Sequence, residues 1–493
     1  LPQEVGASLW LPREALPLLP ETVLTPELPA PLLVLPPAAV RAAAGPMTDE
    51  PLPNALLTLL AGLRRKGFRN LICNRVAVPC PLPPQAIYPM LEPPSSGPAA
   101  AWHADIRRAR SWLTQLPEGR LEALLAKAFS PTGQPRILLD ARGLAAIHNG
   151  TSRAILGFLS GFAQLSSGFE IHTIVKRDAA TFHGIEEHYP NIHVHYDHCD
   201  GGYVAAILLN QPWNIRQIQE LHDSAFLIGF CIFDSIAWDI IYVAGDNLDH
   251  DWRLMAELSD MLFFISSFSR DRFCFRFPVA HDMPLVVTHL SLAPHEINAG
   301  APGPAPSNLP YLLVFGNDYD HKDTNTTVGS LADAFPFLDI VAIGKASGNN
   351  ARVKVVASGR VDAGEISALE AHAAAVVFPS YYEGFGLPVV QALAHGRTVI
   401  VRRSPLWEEI AGLIDLPGRL VPYDDEVSLI EAVGLAVNGH APDALPERAA
   451  DAPPPPDWAE CANRMLRQVK QSLRPDARQA WYKRDLLLTP LAG

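Results

Sequence analysis

The sequence predicts an α/β chain carrying two successive doubly wound parallel sheets behind a proline-rich N-terminal extension. Three observations predict it. From Arg136 onward, short apolar runs of strand length alternate with helical stretches, the pattern of parallel strands joined by crossover helices. A segment of small residues and prolines, AGAPGPAPSNLP from Ala299 to Pro310, lacks periodicity and divides that pattern in two. One stretch, SYYEGFGLPVVQALAHG from Ser380 to Gly396, joins a glycine loop to a helix start, with strand-like AAAVVF before it and TVIVR after it.

With 493 residues, 48% hydrophobic and 18% charged, the composition is that of a soluble globular protein of about two to four domains. A net charge of -13 and the lack of any long Lys/Arg run argue against a general nucleic-acid binder. The six cysteines, Cys73, Cys80, Cys199, Cys231, Cys274 and Cys461, show no CxxC spacing. Several sit inside apolar runs, where a free thiol behaves as a small hydrophobe, so a reducing cytoplasm fits. No apolar run reaches the roughly 18 residues of a membrane-spanning helix, and LPQEVGASLW lacks the layout of a signal peptide. The chain begins with Leu1 rather than Met, which leaves open that it is part of something longer.

Residues 1–130 form the extension, in which LPPAAV, PCPLPP and LEPPSSGP separate short apolar pieces without full-length βα alternation. An amphipathic helix ending at Gly67 precedes a strand, RNLICNRVAV, and AAAWHADIRRARSWLTQL and LEALLAKAF read as two further helices. Residues 131–305 form the first regular unit, with strands expected at RILLD, EIHTIVK, NIHVHY, AFLIGFCIF, MLFFIS and PLVVTHL and a helix at SRAILGFLSGFAQL. Asn149, Gly150 and Thr151 stand at that helix start, either as a ligand-facing turn or as a plain cap. Asp234 follows a strand, and Ser266, Ser267 and Ser269 read as caps. In HVHYDHCDGG, His193 and His195 share a strand face with His198 and Cys199 beyond; a half-buried strand explains them better than a metal.

Residues 306–456 form the second unit, opening with the strand YLLVF, a turn at Gly316 and a helix, and continuing through DIVAIG and VKVVASG to the Ser380 stretch. There Gly384 and Gly386 allow close backbone approach to a ligand, and Pro388 suits a first helical turn. The free NH groups and partial positive charge of that helix end suit a phosphate, with Glu383 and Gln391 on either side to hold sugar hydroxyls. The plainer alternative is an αβ turn with a buried glutamate. Past Pro417 the pattern decays into APDALPERAADAPPPP, and residues 457–493 contain a closing helix, DWAECANRMLRQVKQSL.

The run Pro379-Ser380, then Glu383-Gly384-Phe385-Gly386-Leu387-Pro388, followed by ALAHG, TVIV and SPLWEEIAG, resembles the nucleotide-binding signature of the family 4 retaining glycosyltransferases of GT-B fold, glycosyl transferases group 1. The resemblance implies two Rossmann-like domains facing a cleft, a nucleotide-diphosphate sugar as donor, and no metal or other cofactor. It implies that Lys322 and the residue at Asn317, both after Gly316, hold the donor diphosphate, helped by amides around Gly384, Phe385, Gly386 and Leu387. Glu383 would hold the donor sugar, Gln391 the ribose, and Arg360 and Val361 the base. Asn149, Gly150, Thr151 and Asp234 would line the acceptor side, and residues 457–493 would cross back to the first domain. Three departures stand out: Asn317 where the family has arginine, Gln391 where it has glutamate, and Phe233 where it often has histidine. Residues 32–80 weakly resemble the tail of a family 2 glycosyltransferase of GT-A fold, without its acidic pair or Asp-x-Asp metal site; an unrelated proline-rich adaptor reads equally well.

The expected function is therefore a glycosyltransferase moving a sugar to a hydroxyl of a saccharide or lipid-linked saccharide acceptor, with retention. By analogy the setting is bacterial surface polysaccharide synthesis, cytoplasmic and open to peripheral association with the inner face of a membrane. The alternatives are a degenerate nucleotide-binding or scaffold protein, favoured by the two lost charges, and a nucleotide-sugar epimerase of the same fold, which would consume donor without acceptor.

Overall fold

In the computed structural model the described residues are 5–10, 32–34, 69–73, 117–166, 168–240, 248–297, 303–304, 309–346, 351–357, 363–446, 448–449, 451–474 and 477–488. The chain divides into two compact units, Leu1–Lys127 with Asp485–Pro490, and Ala128–Arg484 with Leu491–Gly493. In the first unit, β1 (Val5–Trp10) pairs antiparallel with β2 (Leu32–Val34) and parallel with β3 (Arg69–Cys73). Helix α1 (Pro117–Ala126) carries Arg120, whose guanidinium pairs with Asp485. Most of the stretch that resembles a family 2 tail, and the helix expected around Trp102, lie outside the described residues.

The second unit holds two parallel sheets. The first is assembled from β4 (Arg136–Asp140), α2 (Gly150–Gln164), β5 (Glu170–Val175), α3 (Arg177–His183), α4 (Ile185–His188), β6 (His193–Tyr196), β7 (Tyr203–Leu208), α5 (Ile215–Ser224), β8 (Ala225–Ile232), α6 (Ile236–Asp239), α7 (Leu248–Leu258), β9 (Met261–Phe264), α8 (Ser267–Arg276), β10 (Leu285–Val287) and α9 (Pro294–Ile297). Its strand order is β10-β9-β8-β7-β4-β5-β6. The second follows with β11 (Tyr311–Phe315), a single 3-10 turn at Asp320–Lys322, α10 (Thr324–Ala334), β12 (Asp339–Ile343), β13 (Val353–Val356), α11 (Ala363–His372), β14 (Ala375–Phe378), α12 (Leu387–Ala394), β15 (Thr398–Arg402), α13 (Pro405–Ala411), β16 (Arg419–Tyr423) and α14 (Glu426–Val437). Its order is β13-β12-β11-β14-β15-β16. Every pairing in both sheets is parallel. This is the Rossmann-like, two-domain α/β fold expected from the sequence.

The order explains where ligands can bind. In each sheet the chain winds one way from its first strand and then the other, so neighbouring crossovers leave on opposite faces between β4 and β7 and between β11 and β14. At such a switch point a crevice opens beyond the strand ends, the general ligand position of doubly wound sheets. The loops after β4, β11 and β14 carry Asn149, Lys322 and Glu383, the three sites singled out in the sequence.

In the second unit two strands went unnamed in the sequence reading, as did β1 and β2 in the first. β7, YVAAIL, is buried at all six positions, yet its small alanines and the histidine-rich run before it mask the signal. β16 contains Pro422, which cannot donate a ladder bond; it is tolerated because β16 is the sheet edge.

Two further helices close the chain, α15 (Trp458–Ser472) and α16 (Ala477–Leu488). Asp457 caps α15 by accepting the Glu460 NH at 2.7 Å. Trp458 then lies directly on α2: a Cβ on Gly157 would fall 2.2 Å from its ring and one on Gly161 would fall 2.1 Å from its carbonyl oxygen. The two small positions on α2 thus set the depth of the contact. Among the described residues no helix is long and apolar enough to cross a membrane.

Candidate active site

The loop between β14 and α12 is where the two sheets' segments meet. A Cβ on Gly384 would stand 2.2 Å from the Phe233 carbonyl oxygen, and one on Gly386, at φ +87°, 2.4 Å from the Trp407 ring. Both glycines were expected to admit a ligand; what they admit in this structure is protein. Ser266 Oγ reaches the Gly384 carbonyl at 2.7 Å, Ser269 Oγ lies 2.8 Å from the Phe233 carbonyl, and Tyr382 Oη accepts the Ser235 NH at 3.2 Å. Ser266 also caps α8 by accepting the Ser269 NH at 3.0 Å. The serines read as plain caps therefore also brace the loop.

Glu409 of α13 does similar work. Its carboxylate accepts the Ser267 and Phe268 NH groups at 2.6 and 2.9 Å and faces His289 Nε2 at 2.9 Å. It therefore satisfies the free end of α8, a helix carried by the other sheet. Burial works against its charge, but the His289 contact and the two NH groups outweigh it and hold the carboxyl below its ordinary range.

Beside the loop, Lys322 Nζ donates to Glu383 Oε1, and each side chain is 14% exposed. The ammonium also lies 5.5 Å from the centre of the Phe378 ring. Burial pushes the neighbouring Asp234 carboxyl up to about 6, with Glu383 acting in the same direction and Lys322 against it. Its oxygen accepts the Ile236 NH at 3.1 Å. Burial likewise pushes His321 down to about 4, so its ring is neutral at pH 7. Lys322, Glu383 and Asp234 thus form one electrostatic group, although the sequence assigned them to diphosphate, sugar and acceptor side.

The two substituted positions behave differently. Asn317 Oδ1 accepts the Tyr319 NH at 2.9 Å, forming a turn with its own backbone. Gly316 is held by packing, since a Cβ there would fall 1.9 Å from Thr324 Oγ1. Gln391, buried on α12, accepts through Oε1 from Arg153 Nη1 of α2. Arg153 was missed by the sequence reading, which singled out only Asn149, Gly150 and Thr151 at the start of its helix. Also missed was Glu370 of α11, fully buried, with neither oxygen hydrogen-bonded. The signal for it was a lone acid among the small apolar residues of SALEAHAAA.

Two expectations need restating. Asn149 caps α2 by accepting the Ser152 NH at 2.7 Å, and a Cβ on Gly150 would meet nothing within 4 Å, so this turn shows the plain cap with Thr151 following it. Arg360 and Val361 lie outside the described residues. Arg402, at the end of β15, is tied to Asp323 at 2.7 Å and the Pro379 carbonyl at 3.2 Å, with its guanidinium 3.9 Å from the Tyr381 ring centre.

Away from the loop, Glu170, His172 and His193 bring ligand-type atoms within 4.8 Å of one another. His193 and His195 do share a face, both stacked against His172. Arg136 already stands in this cluster, 3.4 Å from Glu170 Oε1 and 3.2 Å from His172 Nε2. A guanidinium at that distance opposes a metal ion electrostatically.

Residues 337–438, which contain α11, α12 and the Glu383 loop, match the family described as Glycosyl transferases group 1. No curated protein matches the chain in sequence. Among solved structures it is similar to a sucrose-phosphate synthase from Thermosynechococcus elongatus, at 15% identity over 72% of this chain and 99% of that one, TM-score 0.44. It is also similar to Anabaena HepE in complex with UDP and glucose, at 12% identity over 72% and 98%, TM-score 0.43. An α,α-trehalose-phosphate synthase from Burkholderia xenovorans stands at 12% identity over 73% of this chain and 100% of that one, TM-score 0.43.

Proposed function

We propose that the chain is a glycosyltransferase that moves a sugar from a nucleotide-diphosphate donor to a hydroxyl of a saccharide or lipid-linked acceptor, with retention and without a metal. The observation that carries this reading is the arrangement at the start of α12. Its free NH groups stand at the switch point of the second sheet, inside the matched segment, with Lys322 and Glu383 on one side and Gln391 on the other.

The chemistry asked of such a site is mostly the handling of charge. As the bond from the anomeric carbon to the diphosphate breaks, negative charge gathers on the leaving oxygen. Lys322 and the α12 amides near Gly386 and Leu387 stabilise that charge more than the ground state, which is the condition for raising turnover. For this Lys322 exchanges its contact with Glu383 for the phosphate, and Glu383 is released to the donor sugar's hydroxyls. In this reading Asn317 adds a neutral donor, Gln391 is assigned to the ribose, and Arg360 and Val361 are assigned to the base. Asp234, whose carboxyl burial pushes up to about 6, is assigned to the acceptor side, where in this reading it takes the acceptor proton. No protein nucleophile is assigned; attack and departure take place on one face. A role in bacterial surface polysaccharide assembly belongs to this proposal by analogy only.

A degenerate, ligand-binding protein is the second reading, favoured by the turn that occupies the Asn317 oxygen. A thermal-shift screen against UDP, GDP, ADP and dTDP tests both. A ligand bound only by the native state stabilises by about 2.7 kcal/mol at a hundredfold excess over Kd. One diphosphate should raise Tm; if none does at millimolar concentration, nucleotide-sugar transfer is refuted. Binding without sugar transfer to any saccharide acceptor supports the second reading, and donor conversion without acceptor supports an epimerase.

A further inference from the structure

Two cationic side chains flank the first turns of α12, and they come from different sheets. Lys322 follows β11 and bonds Glu383; Arg153 stands on the first turn of α2 and bonds Gln391. The two contacts are not equivalent. Lys322 meets a carboxylate, whereas Arg153 meets a neutral amide, and among the described residues no carboxylate lies within ion-pair distance of it. The acid that acts on Arg153 electrostatically is Glu370. That residue is fully buried with neither oxygen hydrogen-bonded, His395 Nε2 standing 3.9 Å from its Oε2, and burial pushes its carboxyl up to about 8, so at neutral pH it carries a proton and little charge. Burial in turn disfavours the charged form of Arg153.

A guanidinium withdrawn from water beside a neutral amide and a neutral acid is a costly arrangement, relieved when an anion arrives. The identity of residue 391 matters here. A glutamate would hold Arg153 in a charge-assisted, half-buried pair, while a glutamine holds it by a weaker bond that a phosphate oxygen replaces. We propose that Arg153 is the second cation of the donor diphosphate site: it leaves Gln391 for the phosphate when donor binds, in place of the charge that Asn317 lacks. The neutral residue at 391 keeps it available. This inference rests on the nucleotide-sugar reading and adds to it a residue from the opposite sheet.

Titration calorimetry with UDP, GDP, ADP and dTDP, and with the matching nucleosides, tests it. Arg153→Met, which keeps an apolar stem, should weaken the binding of the preferred diphosphate roughly 10- to 100-fold, the size expected for a bond to a charged group, and leave the nucleoside within about threefold. Arg153→Lys should recover part of the loss. Gln391→Glu should weaken diphosphate binding about tenfold in the wild-type background and not in the Arg153→Met background. Diphosphate affinity within about threefold of wild type in a folded Arg153→Met protein overturns the inference while leaving the transferase reading intact. If Arg153→Met does not fold, judged by its ligand-free melting curve, Gln391→Glu alone decides: unchanged or tighter binding overturns the inference. A wild type that binds no diphosphate removes both.

Discussion

Replacing Lys322 by alanine removes the one side chain that, among the described residues, is bonded to Glu383, and one of the charges acting on Asp234. Both partners of the pair are 14% exposed, so the charge left behind is poorly hydrated. In the ligand-free protein this cost is limited, because Asp234 already titrates near 6 and takes up a proton once the opposing ammonium is gone. In the transition state no such relief is available: the leaving diphosphate loses a preorganised cation, worth about 3 to 4 kcal/mol, or a hundred- to thousandfold in turnover. The loss should fall on kcat more than KM, since the charge that Lys322 answers develops during the reaction. Steady-state release of nucleoside diphosphate measures it, and the acidic limb of the pH profile should move upward as Asp234 becomes harder to ionise. Arg402 is pinned to Asp323 and cannot take over, so adding Arg402→Ala should change kcat little further. A folded Lys322→Ala enzyme retaining more than about a tenth of wild-type turnover refutes the assignment.

Two further outcomes follow from buried groups. Burial raises the Glu370 carboxyl from its ordinary 4.5 to about 8, so between those values the unfolded chain gives up a proton that the native one keeps. Stability should therefore fall as pH rises through this window, by at most about 1.4 kcal/mol per unit, and level off above it. Glu370→Gln should match wild type near pH 5 and exceed it by pH 8 in urea midpoint; parallel curves would count against the burial argument. Gly157→Ala places a Cβ 2.2 Å from the Trp458 ring and forces α15 off α2, at roughly 1 to 3 kcal/mol, while leaving the Glu383 loop untouched. Its Tm should drop with diphosphate affinity preserved, and an unchanged melting curve would show that the helix contact adjusts freely.

By itself the sequence determined what is local. Apolar runs such as RILLD, MLFFIS and TVIVR marked strands because a parallel strand covered on both faces must be apolar throughout. The loop Glu383–Gly386 was legible because a positive φ at Gly386 and a proline in the first helical turn leave their trace within a few residues. Asn149 was rightly seen at a helix start, though not what the start was for. What only the tertiary structure decided are the pairings: Lys322 with Glu383 across 61 residues, Arg153 with Gln391 across 238, and Gly384 against Phe233. It also decided that Glu370 is buried without a hydrogen bond to either oxygen, with His395 Nε2 3.9 Å from Oε2, and that Arg402 turns to Asp323. The reason is that a side chain's charge, its partner and its freedom to meet a ligand depend on what folding brings beside it, and for these residues the neighbours come from distant segments of the chain.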